Sequence, residues 1–161
     1  MVERSDLVIR QVRDKDLSRI SDLSVEWEDE GCTIGMRADS QDDLAADQSP
    51  FFLCSVVQDG VVGYARAEVS EEHVCVFPVG TKYLVLHDLF VQSAYREQGI
   101  GSALMQELVK TAASHGIHQF TTYTANRSWE RMVAFYSRFG FQMWTVQMFR
   151  SPDSIATNER R

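Results

Sequence analysis

Residues 83–115, YLVLHDLFVQSAYREQGIGSALMQELVKTAASH, join an apolar strand to an amphipathic helix through a turn that carries two glycines. Tyr83–Val91 is rich in branched and aromatic side chains and reads as a buried strand. Ser93, Ala94 and Tyr95 lead out of it, and Arg96-Glu97-Gln98-Gly99-Ile100-Gly101 turn the chain into a helix. Its apolar residues Ile100, Leu104, Leu108 and Ala112 recur at a spacing of four. Two glycines at a helix start leave backbone N–H groups with no side chain over them. The first turn of a helix offers those groups no internal acceptor, and the macrodipole adds about half a positive charge. Strand, glycine turn and bare helix start together suit a phosphate or pyrophosphate. A mononucleotide P-loop is excluded, because Ser102-Ala103 follow Gly101 where Lys and then Ser or Thr would be required. A dinucleotide fingerprint is also excluded, for want of a third glycine and of the acidic residue about 20 positions on. A purely structural glycine turn remains the alternative at this point.

The 161 residues are expected to form one domain over 1–150, with a mobile tail over 151–161 that contains Pro152 and no apolar periodicity. A formal charge of -7 argues against a nucleic-acid partner, which needs a basic face. No apolar run approaches the roughly 20 residues of a membrane span. The charged start has no apolar core like that of a secretory leader, so a cytoplasmic location is expected. Cys32, Cys54 and Cys75 are odd in number and widely spaced, which fits free thiols. His115 and His118 straddle a helix end and a glycine, so no metal site is expected.

In order along the chain, residues 7–12 (LVIRQV) read as a strand, and Asp14 is a plausible cap for a helix carrying Leu17, Ile20 and Leu23. Next comes an acidic stretch with Glu26, Glu28, Asp29, Glu30, Asp39, Asp42, Asp43 and Asp47 against a lone Arg37. It reads either as a solvated face or as an acidic lip that draws in a cationic substrate. Residues 51–57 and 61–69 form a hairpin about Gln58-Asp59-Gly60. Residues 73–79 are a possible extended segment. His115-Gly116 closes the glycine-loop helix, residues 117–125 make a fifth strand, and a further helix runs from Ser128 to Gly140. Residues 141–149 are apolar and strand-like. This mixture predicts an α+β fold around a central, mostly antiparallel sheet.

Two segments resemble one family. Arg96-x-x-Gly99-x-Gly101 closely resembles motif A of the Gcn5-related N-acetyltransferases, and residues 126–141 (NRSWERMVAFYSRFGF) resemble motif B through Asn126, Ala134, Tyr136, Gly140 and Phe141. Asn126 stands further ahead of Tyr136 than in the family pattern. The resemblance implies a three-layer α/β/α fold with a mixed, mostly antiparallel sheet splayed at strand four, and acetyl-CoA as co-substrate. Its pyrophosphate would lie on Arg96, Glu97, Gln98, Gly99, Ile100, Gly101 and Ser102. Its pantetheine arm would lie along Leu89, Phe90 and Val91, with Asn126 nearby. Tyr136 falls on the general acid, because a phenol can protonate a departing thiolate. His87 falls on the general-base position, with Glu68, Glu71 or water as rivals. Strand alternation would put His87 and Asp88 on opposite faces. No Cys or Ser stands in an activated constellation, so direct attack by the amine is expected. The acceptor implied is a small-molecule or peptide amine, cationic in view of the acidic stretch, and a homodimer is possible. A non-catalytic acyl-CoA-binding module that senses or scaffolds is the competing function.

Overall fold

The computed structural model describes residues 6–47 and 49–149. Five strands follow one another across a single sheet in chain order: β1 (Leu7–Gln11), β2 (Phe52–Val57), β3 (Gly60–Ser70), β4 (Tyr83–Val91) and β5 (Gln119–Thr122). The first four pair antiparallel, and β5 runs parallel to β4. Helices α1 (Leu17–Asp29) and α2 (Gln41–Ala45) cover one face, and α3 (Ile100–Ser114) and α4 (Trp129–Ser137) lie toward the other. Alternation along the strands builds both cores. Leu53, Ala65, Ala67, Leu84 and Leu86 meet Ile100, Leu104, Met105, Leu108 and Ala112 of α3. Phe52, Cys54, Tyr64 and Phe90 meet Leu17, Ile20, Leu23 and Leu44. The predicted three-layer α+β architecture is the one observed.

Two irregularities shape the sheet. Gly63 brings β3 hard against β4, where a Cβ would stand 2.6 Å from the Phe90 carbonyl oxygen, so no larger residue fits. Pairing of β3 with β4 shifts between Arg66 and Ala67: Arg66 faces Asp88, but Ala67 faces Leu86, which leaves His87 as an extra residue in β4. On its other edge β4 pairs with β5 only from Tyr83↔Gln119 to Leu86↔Thr122, whereas its pairing with β3 runs on to Val91. Beyond Leu86 the two parallel strands part, and this is the expected splay.

Several boundaries differ from the sequence reading. Asp14 does not cap α1. Residues Asp14–Asp16 form a 3₁₀ turn, and α1 starts at Leu17. The Asp16 carboxylate instead accepts from the Arg13 N–H (2.9 Å) and takes a two-pronged contact from the Arg10 guanidinium at 2.6 and 2.9 Å. That pairing holds the Asp16 carboxyl below the usual carboxylate range. Residues 73–79 form turns and no strand, and β5 is shorter than the span 117–125. Residues 141–149 are not a strand either. Phe141 packs on Phe120 and Tyr136, after which Met143, Val146, Met148 and Phe149 are exposed. Apolar alternation supplies strand propensity, but a strand also needs an edge to pair with, and this segment meets none among the described residues. The tail expected over 151–161 lies outside the described residues. Among the described residues no helix is long and apolar enough to cross a membrane.

Candidate active site

The parted strands lead straight to the glycine loop. After Val91 a 3₁₀ turn, Ser93–Tyr95, carries the chain to Arg96. Glu97 adopts φ +62° and Gly99 φ +84°, and this double left-handed kink aims the start of α3 back at the end of β4. At Gly99 the left-handed backbone favours glycine, and a Cβ there would meet nothing within 4 Å, whereas one at Gly101 would touch the Phe135 ring at 3.7 Å and Val91 at 3.8 Å. The α3 ladder opens with the Ala103 N–H on the Gly99 carbonyl (2.9 Å). The N–H groups of Ile100, Gly101 and Ser102 precede that rung and have no acceptor within the helix. This is the chemistry a pyrophosphate requires, and the residues fit it. Arg96 does something other than reach over the helix start. Its Nε donates to the Val91 carbonyl (2.7 Å), its other arm pairs with Glu30 (2.6 Å), and its guanidinium lies 5.3 Å above the Phe90 ring. Arg96 therefore ties the loop to the end of α1. Glu97 is an exposed partner of Arg131 at 3.5 Å, and Gln98 donates to the Ala94 carbonyl at 3.1 Å.

Across the gap, Thr122 ends β5, and its hydroxyl donates to the Leu86 carbonyl (3.2 Å) at the last rung before the strands part. Tyr136 of α4 reaches this point between the rings of Phe135 and Phe141. Burial pushes the Tyr136 phenol above its ordinary value, against a smaller opposing pull from Thr122. It is thus a proton donor throughout the neutral range. Leu89 and Val91 direct their side chains to the α3 core, and Phe90 stacks on Trp27 with ring centres 5.4 Å apart, so this stretch leaves its main chain for the gap.

His87 and Asp88 share a face, contrary to the expectation of opposite faces, because the extra residue in β4 interrupts alternation. Asp88 points to the α2 side, where Arg66 holds it at 2.6 Å and also pairs with Asp39 at 3.1 Å. Burial raises the Asp88 carboxyl in spite of Arg66. His87 Nε2 lies 3.0 Å from a Glu68 carboxylate oxygen, and Nδ1 lies 3.4 Å from the Tyr123 hydroxyl. Glu68 is thereby joined to His87, while Glu71 is taken up by Lys82 at 2.8 Å on the exposed surface.

The loop after α1 spans the mouth of the gap. Ile34 donates its N–H to the Ala125 carbonyl (2.9 Å), and Arg127 donates its own to the Cys32 carbonyl (2.8 Å), which makes a bridge between Thr33 and Asn126. Asn126 is engaged structurally: its Oδ1 takes the Ser128 N–H (2.8 Å) at the start of α4, and its Nδ2 donates to Cys32 Sγ at 3.7 Å. Most of the acidic stretch is likewise committed. Glu26 holds Arg19 and Gln92, Glu28 takes the Ala38 N–H, Asp43 caps α2 with Ser40, and Asp47 takes the Ser49 N–H. Sequence reasoning missed Thr122, Tyr123, Thr33 and Arg66. Each acts through a partner at least 22 positions away, and local pattern carries no signal for that.

The sequence pattern of the acetyltransferase (GNAT) family matches residues 16–141. The chain belongs to that family. Among curated proteins no sequence match is found. Solved structures share the fold at low identity. An aminoglycoside acetyltransferase from an uncultured soil metagenomic sample, in complex with trehalose, is 16% identical with a TM-score of 0.70, over 92% of this chain and 97% of its own. The aminoglycoside N-acetyltransferase AAC(6')-Iy in complex with CoA is 17% identical with a TM-score of 0.68, over 91% and 95%. Arabidopsis thaliana Naa50 in complex with the bisubstrate analogue CoA-Ac-MVNAL is 22% identical with a TM-score of 0.63, over 87% and 85%. As a GNAT acetyltransferase the protein is an acyltransferase. Among the described residues no cluster of metal-ligating side chains occurs.

Proposed function

We propose that this acetyltransferase moves the acetyl group of acetyl-CoA to a primary amine by direct attack in a ternary complex, and that the acceptor is a small cationic amine. One observation carries the reading. The edge of β4 released by β5 after Leu86 runs into a glycine loop whose helix start leaves its first N–H groups without acceptors in the helix. On this reading Ile100, Gly101 and Ser102 hold the pyrophosphate through main-chain N–H groups, Gly99 sets the direction, and Glu97 and Gln98 shape the loop. Arg96 fixes it. The main chain of Leu89, Phe90 and Val91 faces the pantetheine arm and offers an oxyanion-type contact to the thioester carbonyl. Acetyl-CoA supplies an activated acyl group. Asn126 supports the wall of the gap through Cys32 and α4.

His87 takes a proton from the acceptor nitrogen, and Tyr136 gives its hydroxyl proton to the departing sulfur. The reacting nitrogen enters as the neutral amine, after losing its extra proton to solvent; one proton then leaves it and one reaches sulfur, so the pair returns to its starting state by exchange with solvent. The protein's charge of -7 favours the approach of a cationic acceptor, and two of the similar structures are aminoglycoside acetyltransferases. The test is thiol release from acetyl-CoA with polyamines, aminoglycosides, amino acids and basic peptides in turn. Acceptor-dependent release supports transfer and identifies the acceptor class. CoA binding with no release for any amine would favour the sensing module.

A further inference from the structure

We propose that Glu68 is a positioning residue that holds His87 with its proton on Nε2, so that Nδ1 is the atom that accepts the proton of the amine. This rests on the reading of His87 as base and goes further, by turning an apparent rival base into its support and by naming the reactive nitrogen. The geometry begins with the sheet. Glu68 stands opposite Val85, and His87 is two positions further along β4, so the two are diagonal neighbours on one face. At ordinary pleat spacing such a pair is about 7–8 Å apart at the backbone and is joined only by long side chains. The extra residue in β4 falls at His87, where a bulge re-aims the side chain. Glu68 Oε1 and His87 Nε2 then meet at 3.0 Å.

The tautomer follows by elimination. An ionised carboxylate only accepts hydrogen bonds, so Nε2 must donate and carry the hydrogen. In a neutral imidazole the other nitrogen then holds a lone pair. That nitrogen is Nδ1, and the neighbour it has is the Tyr123 hydroxyl, which donates to it at 3.4 Å. This is beyond the usual range of an O–H···N contact, so the hydroxyl is easily displaced. Asp88 does not compete for the ring, since Arg66 occupies it. As an amine takes the place of the Tyr123 hydroxyl, its N–H bond breaks and an Nδ1–H bond forms. The positive charge that appears on the ring is met by the Glu68 carboxylate on the other nitrogen.

Long-range proton–nitrogen spectra of the full chain with labelled histidine, recorded at alkaline pH, read the tautomer without any substrate. His87 is expected to be protonated at Nε2 alone in the wild type. Glu68→Ala should give a mixture. Glu68→Gln should keep the wild-type pattern, because the amide oxygen still accepts. Turnover should follow the spectra: Glu68→Ala loses roughly tenfold in kcat, a share of the roughly 10²–10⁴ of a positioned base, with KM for acetyl-CoA unchanged, and Glu68→Gln recovers much of it. A wild-type His87 protonated at Nδ1, or a tautomer indifferent to Glu68→Ala, overturns the positioning role. His87→Ala separates the two levels. If that variant turns over normally, the base assignment itself fails, whatever the spectra show.

Discussion

The glycine loop over residues 96–102 and the acidic segment over residues 26–47 are both polar and both border the splayed strands, yet they treat their polar groups in opposite ways. In the acidic segment most carboxylates that could attract a ligand are already held: Glu26 by Arg19 and Gln92, Glu28 by the Ala38 N–H, Glu30 by Arg96, and Asp39 by Arg66. In the glycine loop the side chains are engaged, and three successive main-chain N–H groups precede the first rung of α3. Partnered charge builds the fold, and unpartnered backbone is where a ligand gains binding energy. Counting charges would rank the two regions the other way.

The strongest way to break that contrast is to fill the loop. Gly99→Glu puts a carboxylate where the anion is proposed to sit, and like-charge contact should cost several kcal/mol of CoA affinity, enough to abolish binding in a calorimetric titration. Gly99→Ala is the control, since both variants bear the left-handed φ of +84°, which costs about 1–2 kcal/mol of folding stability. Equal loss of CoA binding in both would assign the effect to backbone strain and leave the anion site unsupported. Next in size is Tyr136→Phe. It removes only the hydroxyl, so CoA should bind within a few-fold of wild type while kcat falls roughly 10²–10⁴-fold. Unchanged turnover would make Tyr136 a core tyrosine packed between Phe135 and Phe141 and nothing more.

The first of these variants sits where local sequence pattern spoke most clearly, and the reason is physical. A glycine turn between a branched strand and an amphipathic helix is specified by residues within a few positions of one another, so Tyr83–Val91, the loop and α3 are legible from the chain alone. The partners of His87 were not. Its orientation depends on where β3 slips against β4 between Arg66 and Ala67, and register is a property of two strands. The same holds for the start of α1. Asp14 reads as its cap, but Asp14–Asp16 form a 3₁₀ turn whose Asp16 carboxylate is held by Arg10 on β1. Residues 141–149 read as a strand because alternation records propensity and not the presence of an edge.

Ahead of the acidic segment, Asp16→Asn tests whether a held carboxylate carries the fold. The Asp16 residue is 5% exposed, and removing its charge strands the Arg10 guanidinium, which should cost about 3 kcal/mol by urea denaturation. The pH dependence has a definite sign. The folded-state pKa of Asp16 is lowered, so the unfolded chain binds the proton more readily. Its contribution is fully present above the unfolded value of about 3.9 and is lost as pH falls through the lower folded value. Asp16→Asn should therefore flatten the acid side of the stability curve relative to wild type. An acid limb identical in the two proteins would show that other carboxylates set it.

The smallest expected effect decides most directly between the two uses of acid. Glu30 lies beside the gap and would be a natural amine-binding group if the segment were a lip, but its carboxylate is spent on Arg96 at 2.6 Å. Both side chains are partly exposed, so the pair is worth no more than about 1 kcal/mol. Its position nevertheless matters, because Arg96 also holds the Val91 carbonyl and covers the Phe90 ring. Glu30→Gln should thus raise KM for acetyl-CoA by a few-fold, through a looser loop, and leave KM for the acceptor unchanged. The reverse split, with acceptor KM raised and acetyl-CoA KM constant, would return Glu30 to the acceptor site. In that case a carboxylate can hold the loop and still bind an amine, and attraction of the acceptor would be local to the mouth of the gap. The expected split instead leaves that attraction to the net charge of the whole protein, an effect that added salt should weaken for every cationic acceptor alike.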